Sequence, residues 1–127
     1  MSLAYWCVLV AAILHYATVG IAKTLGSYDN TNPRAAASYK GPALRAHSAH
    51  ANGFEAFPLF AVAVLVASGA SAKITIPVLD ILAVSWIVTR LAYTAAYLGD
   101  RPSLRSLVWM VGVGISITIF TLPAWHR

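Results

Sequence analysis

Charged residues are scarce in this sequence, and cysteine occurs once. Only 10% of the 127 residues are charged and 59% are hydrophobic, whereas soluble domains contain roughly 25% charged residues. This composition excludes an ordinary soluble domain and indicates a membrane protein. Cys7 has no second cysteine with which to form an internal disulfide. It lies in an apolar run, where a free thiol packs as a small hydrophobic side chain.

Motifs for metal and phosphate binding are also missing. No cysteine pair and no His/Cys cluster has metal-ligand spacing, and no glycine-rich phosphate loop is present. The net charge of +5 at pH 7 could suggest a nucleic-acid partner. The basic residues lie between apolar runs, however, so orientation in a membrane explains them better. We therefore predict no metal site and no nucleic-acid binding.

What the sequence does contain is four long apolar runs, each near the roughly 20 residues that a membrane-spanning helix needs. They cover residues 3–22, 43–70, 74–98 and 103–122. The first run has no basic stretch before it and no small-residue cleavage site, which favours a retained helix over a signal peptide. The sequence predicts one all-α domain over residues 1–127, a bundle of four transmembrane helices.

The connecting segments set the expected orientation. Residues 24–42 are rich in Gly, Ser, Asn and Pro and form a polar loop, and residues 99–102 form a tight connection. Most basic residues lie in these two loops or beside them: Lys23, Arg34, Lys40, Arg45, Arg101 and Arg105. Because positive charge accumulates on the cytoplasmic side, we predict that both loops are cytoplasmic and both termini are not.

Polar residues form a stripe on the first half of the second span. At about 100° per residue, the stripe is roughly 80° wide, and the two nearby histidines point to a different side. The stripe consists of Arg45, Ser48, Asn52 and Glu55, and the histidines are His47 and His50. Polar and charged groups inside a membrane usually face a bundle interior or a polar cavity. Polar packing between helices and a ligand site both remain open from this stretch alone.

The third span carries a matching set at a similar depth. Arg90, Tyr93 and Tyr97 share one face of its second half. Arg90 lies about two turns inside the helix, too deep to be left without a partner, and Glu55 is the nearest candidate by depth. The polar ends of spans two, three and four, together with Lys23, converge on one membrane depth. This convergence favours a ligand site over polar packing.

Two motifs stand out in the polar halves of the later spans. The first motif is Arg45-Ala-x-x-x-His50-x-Asn52-x-x-Glu55, followed by Pro58. The second is Arg90-x-x-Tyr93-Thr94-x-x-Tyr97-x-Gly99, followed by Leu104-Arg105-Ser106-x-x-Trp109. With these motifs the chain resembles the MAPEG family, the membrane-associated proteins in eicosanoid and glutathione metabolism, which include microsomal glutathione transferases. The resemblance covers nearly the whole chain, and the pattern is closest to small bacterial-type members.

The resemblance implies a homotrimer with glutathione between neighbouring subunits. It implies that Asn52 and Glu55 hold the γ-glutamyl end and that Arg105, with Ser106, faces the sulfur as the catalytic pair. The other implied glutathione-binding residues are Lys23, Arg45, Arg90, Tyr93, Tyr97 and Trp109. A thiol has a pKa near 8.5, and an adjacent arginine lowers it. The reacting nucleophile would then be the thiolate of glutathione, so Cys7 is not required.

Some positions depart from the family pattern. Ser48 and Ala51 stand where several eukaryotic relatives carry arginines, Trp109 replaces a tyrosine, and Tyr93 stands where a prostaglandin synthase has histidine. The leading hypothesis is a membrane transferase or peroxidase that uses glutathione on lipophilic electrophiles entering from the bilayer. The alternative is a noncatalytic scaffold that binds lipids or ligands on the same fold. A small multidrug-type transporter is disfavoured, since arginines and tyrosines suit an anionic ligand better.

Overall fold

A computed structural model describes residues 1–35, 39–70 and 76–125 of the chain. It contains four helices: α1 (Leu3–Leu25), α2 (Gly41–Gly69), α3 (Ile76–Leu98) and α4 (Pro102–Trp125). All four are long and apolar enough to cross a membrane, and the described residues form no strand. The predicted all-α architecture of four transmembrane helices is confirmed. The protein is an integral, multi-pass membrane protein.

Several helix ends differ from the predicted ones, and prolines lie at those of α2 and α4. α2 begins at Gly41, because Pro42 lies in its first turn, where the missing N–H of proline costs nothing. α4 continues past residue 122 to Trp125 and includes Pro123. α1 runs on to Leu25. The predicted start of the third span, at residue 74, lies outside the described residues.

α2 and α3 form the centre of the bundle, since each of them packs against both α1 and α4 as well as against the other. In the half away from the polar loops, Phe60 of α2 stacks on Trp86 of α3, with ring centroids 3.9 Å apart and planes inclined by 2°. Both rings are buried. The surrounding small side chains allow close helix contact: Ala4, Ala11, Ala63, Ala67 and Ala83.

The start of α1 is tied to α3 by a side-chain cap. The Ala4 backbone N–H donates a hydrogen bond of 2.8 Å to the Asp80 carboxylate. The first turn of a helix has backbone donors without intrahelical partners, and burial in a membrane makes such donors costly. Asp80 therefore has a structural role at the end of the bundle away from the polar loops.

The other end of the bundle is closed by the loop between α1 and α2. Tyr39 is buried there with Ala22, Ala43 and Ala46. Its ring lies against Gly26, where an added Cβ would be 2.5 Å from a ring carbon. A side chain at position 26 would therefore displace Tyr39 and the loop segment that it anchors.

Candidate functional site

A cavity of about 600 Å³ lies among α2, α3 and α4 near the end that carries the polar loops. This size is within the range of small-molecule sites. We call it the site cavity. Its lining consists of His47, Ser48, Ala51, Asn52, Glu55, Tyr93, Tyr97, Arg105, Ser106, Trp109 and Met110. The cavity therefore brings together most of the residues that the sequence patterns single out.

Asn52 connects the polar stripe of α2 to α3. Nη2 of Arg90 donates a hydrogen bond of 3.1 Å to the Asn52 side-chain oxygen. The Asn52 amide nitrogen in turn donates a 3.5 Å bond to a Glu55 carboxylate oxygen. The predicted proximity of Glu55 and Arg90 thus takes the form of a bridge through Asn52 rather than a direct ion pair. Arg90 is only 3% exposed, whereas Glu55 is exposed and open to the cavity.

Two tyrosines of α3 hold two arginines. The Arg90 guanidinium lies 4.3 Å from the Tyr93 ring centroid, and that of Arg105 lies 4.5 Å from the Tyr97 ring centroid. The two tyrosine rings are themselves in edge contact, with centroids 5.7 Å apart. Cation–π contacts of this kind fix a guanidinium without neutralising it. Both arginines therefore remain able to attract an anion.

The arginines have different surroundings. Arg90 is buried, and its Nε has no hydrogen-bond partner. Arg105 lies in the first turn of α4, half-buried, beside the exposed Ser106. The site cavity is lined by one carboxylate, that of Glu55, and by the guanidinium of Arg105, while Arg90 adjoins it through its hydrogen bond to Asn52. This arrangement suits an elongated ligand that carries an ammonium group and more than one negative charge.

Lys23 lies outside the site cavity, in a separate cavity of about 570 Å³ between α1, the following loop and α2. We call this second space the cationic cavity. Its lining consists of Tyr16, Val19, Lys23, Pro33, Arg34, His47, His50, Ala51 and Phe54. The Lys23 ammonium lies 4.4 Å from the Tyr28 ring centroid. Arg45 lines neither cavity, although it belongs to the predicted stripe, and its Nε is buried without a partner.

The two histidines of α2 both line the cationic cavity, and their ring centroids lie 6.4 Å apart. His50 faces α1, where its Nδ1 lies 2.7 Å from the backbone oxygen of His15. His47 also lines the site cavity, so it lies on the other side from the stripe, as predicted, and reaches the site as well. The helical period places His47 about 80° from Glu55, the nearest residue of the stripe, and an imidazole is long enough to reach the site cavity from there.

Met110 and Ala51 are lining residues that the sequence patterns did not assign to the site. Met110 follows Trp109 on α4, and its apolar side chain gives no signal in a membrane helix. Ala51 was noted only because relatives carry arginine there. Among the described residues, no group of three or more His, Cys, Asp or Glu side chains could hold a metal ion.

The fold and the cavity define a class: a four-helix integral membrane protein with a cavity lined by arginine, tyrosine and carboxylate side chains. A model of the MAPEG family matches residues 3–125. The chain therefore belongs to the MAPEG family. No curated protein matches it. Family membership supports a membrane function related to glutathione, in a transferase or a relative of one.

Proposed function

We propose that this protein is a membrane enzyme that binds glutathione in the site cavity and uses its thiolate on lipophilic electrophiles. The observation that carries the proposal is the division of the cavity. Asn52, Glu55 and the adjoining Arg90 lie at one end, and Arg105 and Ser106 lie at the other. Glutathione is long enough to place its γ-glutamyl group at the first end and its sulfur at the second.

Each end has a distinct chemical task. The Glu55 carboxylate attracts the ligand ammonium, and Arg90 attracts the neighbouring carboxylate. At the other end, the Arg105 guanidinium stabilises a negative sulfur more than a neutral one, so it lowers the pKa of the bound thiol. The Tyr97 ring holds this guanidinium in place. The Ser106 hydroxyl can donate a hydrogen bond to the same sulfur.

The thiolate then attacks the second substrate. With a carbon electrophile, a carbon–sulfur bond forms, and the thiol proton ends on the product or on the leaving group. With a hydroperoxide, two glutathione molecules become the disulfide, and the peroxide is reduced to an alcohol and water. Both reactions balance without a metal or another cofactor. The lipophilic substrate enters from the bilayer, where such molecules concentrate.

The assembly proposed with this function is a homotrimer that binds glutathione between neighbouring subunits. Lys23 and Arg34 lie in the cationic cavity, away from the site cavity of their own chain. In a ring of subunits, the α1 side of one chain can complete the site of the next. Family resemblance is the main support for the number three.

The role of Arg105 is tested by replacing it with leucine. Arg105→Leu should leave glutathione affinity within a few-fold, since Asn52, Glu55 and Arg90 hold the other end of the ligand. Turnover should fall by about a hundredfold, the typical effect of removing one electrostatic stabiliser. The thiol pKa of bound glutathione should rise, measured by titrating the ultraviolet absorbance of the thiolate. Equal titration midpoints in wild type and Arg105→Leu would contradict the catalytic role.

Two further variants serve as controls. Arg105→Lys tests whether a simple anchor at the membrane surface is enough, because lysine reaches the headgroups as well as arginine does. Arg101→Leu removes an exposed arginine from the same end of α4 that lines neither cavity. We expect Arg105→Lys to lose turnover and Arg101→Leu to keep it.

A noncatalytic scaffold is the second candidate function. Ser48 and Ala51 line the site cavity and add no positive charge where several relatives carry arginine. The cavity can therefore bind a ligand that is less anionic than glutathione. A scaffold would bind its ligand without turnover and would leave the thiol pKa of any bound glutathione at its solution value.

The orientation in the membrane is part of the same proposal. We propose that loops 24–42 and 99–102 lie in the cytoplasm and both termini outside it, because most basic residues lie in or beside these loops. A reporter that works only outside the cytoplasm should be active when fused to the C-terminus. Activity of a reporter that works only in the cytoplasm would reverse the orientation.

A further inference from the structure

The function proposed above leaves one charge of glutathione without a partner in the same chain. Bound as a thiolate, glutathione carries one ammonium group and three anionic groups, namely two carboxylates and the sulfur. Glu55 pairs with the ammonium group, Arg90 with the γ-glutamyl carboxylate and Arg105 with the sulfur. The glycyl carboxylate therefore needs a further positive group at the site cavity.

His47 is the remaining basic side chain at this cavity. Among the described residues that line the site cavity, only Arg105 and His47 have basic side chains. His47 is half-buried, and its Nδ1 has no hydrogen-bond partner. Nδ1 of His50, by contrast, lies 2.7 Å from the backbone oxygen of His15 on α1. His50 thus has a structural contact between two helices, whereas no such contact holds the Nδ1 of His47.

The depth of His47 matches the length of the ligand. His47 precedes Glu55 by eight residues on α2, so it lies about 12 Å nearer the polar-loop end of the helix. An extended tripeptide spans roughly 10 Å, and the γ-linkage of its first residue adds about two bond lengths. A glutathione molecule with its ammonium group at Glu55 can therefore place its glycyl carboxylate beside His47.

Arg105 and His47 lie on different walls at the same end of the site cavity. The Arg105 guanidinium, on α4, lies over the ring of Tyr97, which is seven residues, or about 10 Å, nearer the polar-loop end of α3 than Arg90. His47 belongs to the α2 wall. Glutathione branches at its cysteinyl Cα, where one branch leads to the sulfur and the other to glycine. The two walls thus provide one basic group for each branch.

We propose that His47 is a specificity-determining residue that binds the glycyl carboxylate of glutathione, and that this contact is stronger at acidic than at alkaline pH. The inference rests on the proposed function, and it adds the recognition of the second carboxylate. Histidine is the side chain whose charge ordinarily changes between pH 5 and pH 8. A charged imidazole donates a charge-assisted hydrogen bond to a carboxylate, whereas a neutral imidazole donates a weaker one.

The charged and titratable groups around His47 come from every element packed against it. Those on the side of the cationic cavity and the α1–α2 loop are Tyr16, Lys23, Arg34, Tyr39 and His50. Those on the side of the site cavity are Glu55, Tyr93, Tyr97 and Arg105. Of these residue types, only histidine ordinarily changes charge near neutral pH. A pH dependence that disappears with His47 and survives the loss of His50 therefore belongs to the His47 imidazole.

The first experiment compares two ligands that differ only at the glycyl carboxylate. One is S-methylglutathione, whose sulfur cannot ionise, and the other is its amide, in which a carboxamide replaces the glycyl carboxylate. Calorimetry with the purified full-length protein measures both affinities at pH 6 and at pH 8, a range over which imidazoles ordinarily lose their charge. The readout is the affinity for the acid divided by the affinity for the amide, so pH effects on the shared part of the two ligands cancel.

The wild-type ratio should fall from pH 6 to pH 8 by about fivefold, the upper range for a partly exposed ion pair. His47→Gln should keep the low ratio at both pH values. His47→Arg should keep the high ratio at both, because arginine is always charged. The matched control is His50→Gln, the same change in the same helix at a histidine that lines the cationic cavity and not the site cavity. It should retain the wild-type fall.

Three results would overturn the proposal. They are a wild-type ratio that is the same at both pH values, a fall that persists in His47→Gln, and a His47→Arg protein whose ratio still falls as the pH rises. Binding of the amide shows that each variant is folded, because this ligand does not need a charge at position 47.

Steady-state kinetics separate the role of His47 from that of Arg105 and from the proposed function itself. With glutathione and chlorodinitrobenzene at about pH 6, His47→Gln should raise the KM for glutathione by about fivefold and leave kcat close to the wild-type value, because the contact to the sulfur is intact. If the wild-type protein neither binds S-methylglutathione nor turns over glutathione, the proposed function and this inference are both contradicted. If it does both but the affinity ratio does not depend on His47, the function stands and this inference alone is wrong.

Discussion

The two faces of α2 hold their neighbours in different ways. Toward α3, Asn52 accepts a hydrogen bond from the buried guanidinium of Arg90. Toward α1, the next residue, Gly53, leaves room for the imidazole of His15, and a Cβ at position 53 would overlap that ring. One contact depends on charge and hydrogen bonding, and the other depends on shape. Consecutive residues of one helix therefore fix two neighbours by unrelated means.

The difference extends to the cavities on the two faces. The site cavity contains a carboxylate and an arginine held on a tyrosine ring. The cationic cavity contains Lys23 and Arg34, and the described residues that line it include no carboxylate. A zwitterionic ligand with several charges can be balanced in the first cavity and not in the second. The face with directional contacts is thus the face that suits a polar ligand.

The largest expected effect on stability comes from Asn52, because its loss removes a hydrogen-bond partner of the buried Arg90 guanidinium. Asn52→Leu removes the side chain that accepts a hydrogen bond from the buried Arg90 guanidinium, which should cost about 3–5 kcal/mol in the free energy of unfolding. Arg90→Leu removes the charge itself and leaves only a polar amide unpaired, which should cost about 1–3 kcal/mol. Denaturant titration in mixed micelles, followed by circular dichroism, measures both.

A double-mutant cycle tests whether Asn52 and Arg90 stabilise the bundle as a pair. If the two side chains act as a pair, Asn52→Leu combined with Arg90→Leu should be more stable than Asn52→Leu alone. Glu55→Gln serves as a control, since Glu55 is exposed and its bond to Asn52 is long at 3.5 Å. Additive losses, or a smaller loss in Asn52→Leu than in Arg90→Leu, would show that Asn52 does not compensate the buried charge.

On the opposite face, the corresponding test concerns shape. Gly53→Ala places a methyl group against the buried His15 ring, and overpacking of this kind typically costs about 1–3 kcal/mol. Gly20→Ala is the matched control, because a Cβ at Gly20 meets nothing within 4 Å. It should instead stabilise α1 by about 0.5–1 kcal/mol through its better helix propensity. Thermal unfolding in detergent distinguishes the opposite signs.

A second substitution tests whether the clash with His15 causes the loss of stability. Replacing His15 by alanine in the Gly53→Ala background opens the space that the methyl group needs, so part of the lost stability should return. A Gly53→Ala protein that is as stable as wild type would mean that α1 and α2 can separate without cost at this point.

The same contrast explains what the sequence could predict of the fold. Run length and hydropathy give the four spans, because a membrane requires long apolar helices whatever their packing. The helix ends are harder to predict from sequence, because a proline can start a helix or lie within its last turn as well as break it. Pro42 starts α2 and Pro123 lies within the last turn of α4, whereas a pattern alone treats both as breaks. The sequence also does not predict which apolar side chains contact each other, as the stack of Phe60 on Trp86 shows.

For the site, the polar residues and the helical period predict the lining on only one face of α2, the face toward the site cavity. The 3.6-residue period places Ser48, Asn52 and Glu55 together, and the structure finds all three in the site cavity. The His15–Gly53 contact gave no such signal, since a glycine in a membrane helix has many uses. Lys23 was grouped with the site by its depth, but depth does not specify which side of α2 a residue occupies. In the proposed trimer, Lys23 would instead reach the site of the neighbouring chain, and this expectation can be tested.

Lys23 carries the smallest expected effect. If neighbouring subunits complete each other's sites, the Lys23 ammonium of one chain meets the bound glutathione of the next, and Lys23→Leu should weaken binding by up to about 1 kcal/mol, or roughly fivefold, as expected for a half-exposed ion pair. Lys40→Leu is the control, because Lys40 is exposed and lines neither cavity. Calorimetry with purified protein measures both affinities, and native mass spectrometry counts the subunits in the same samples. A site that is complete within one chain would bind glutathione equally well in both variants. Equal affinities in a protein that is trimeric would assign the cationic cavity to a function other than glutathione binding.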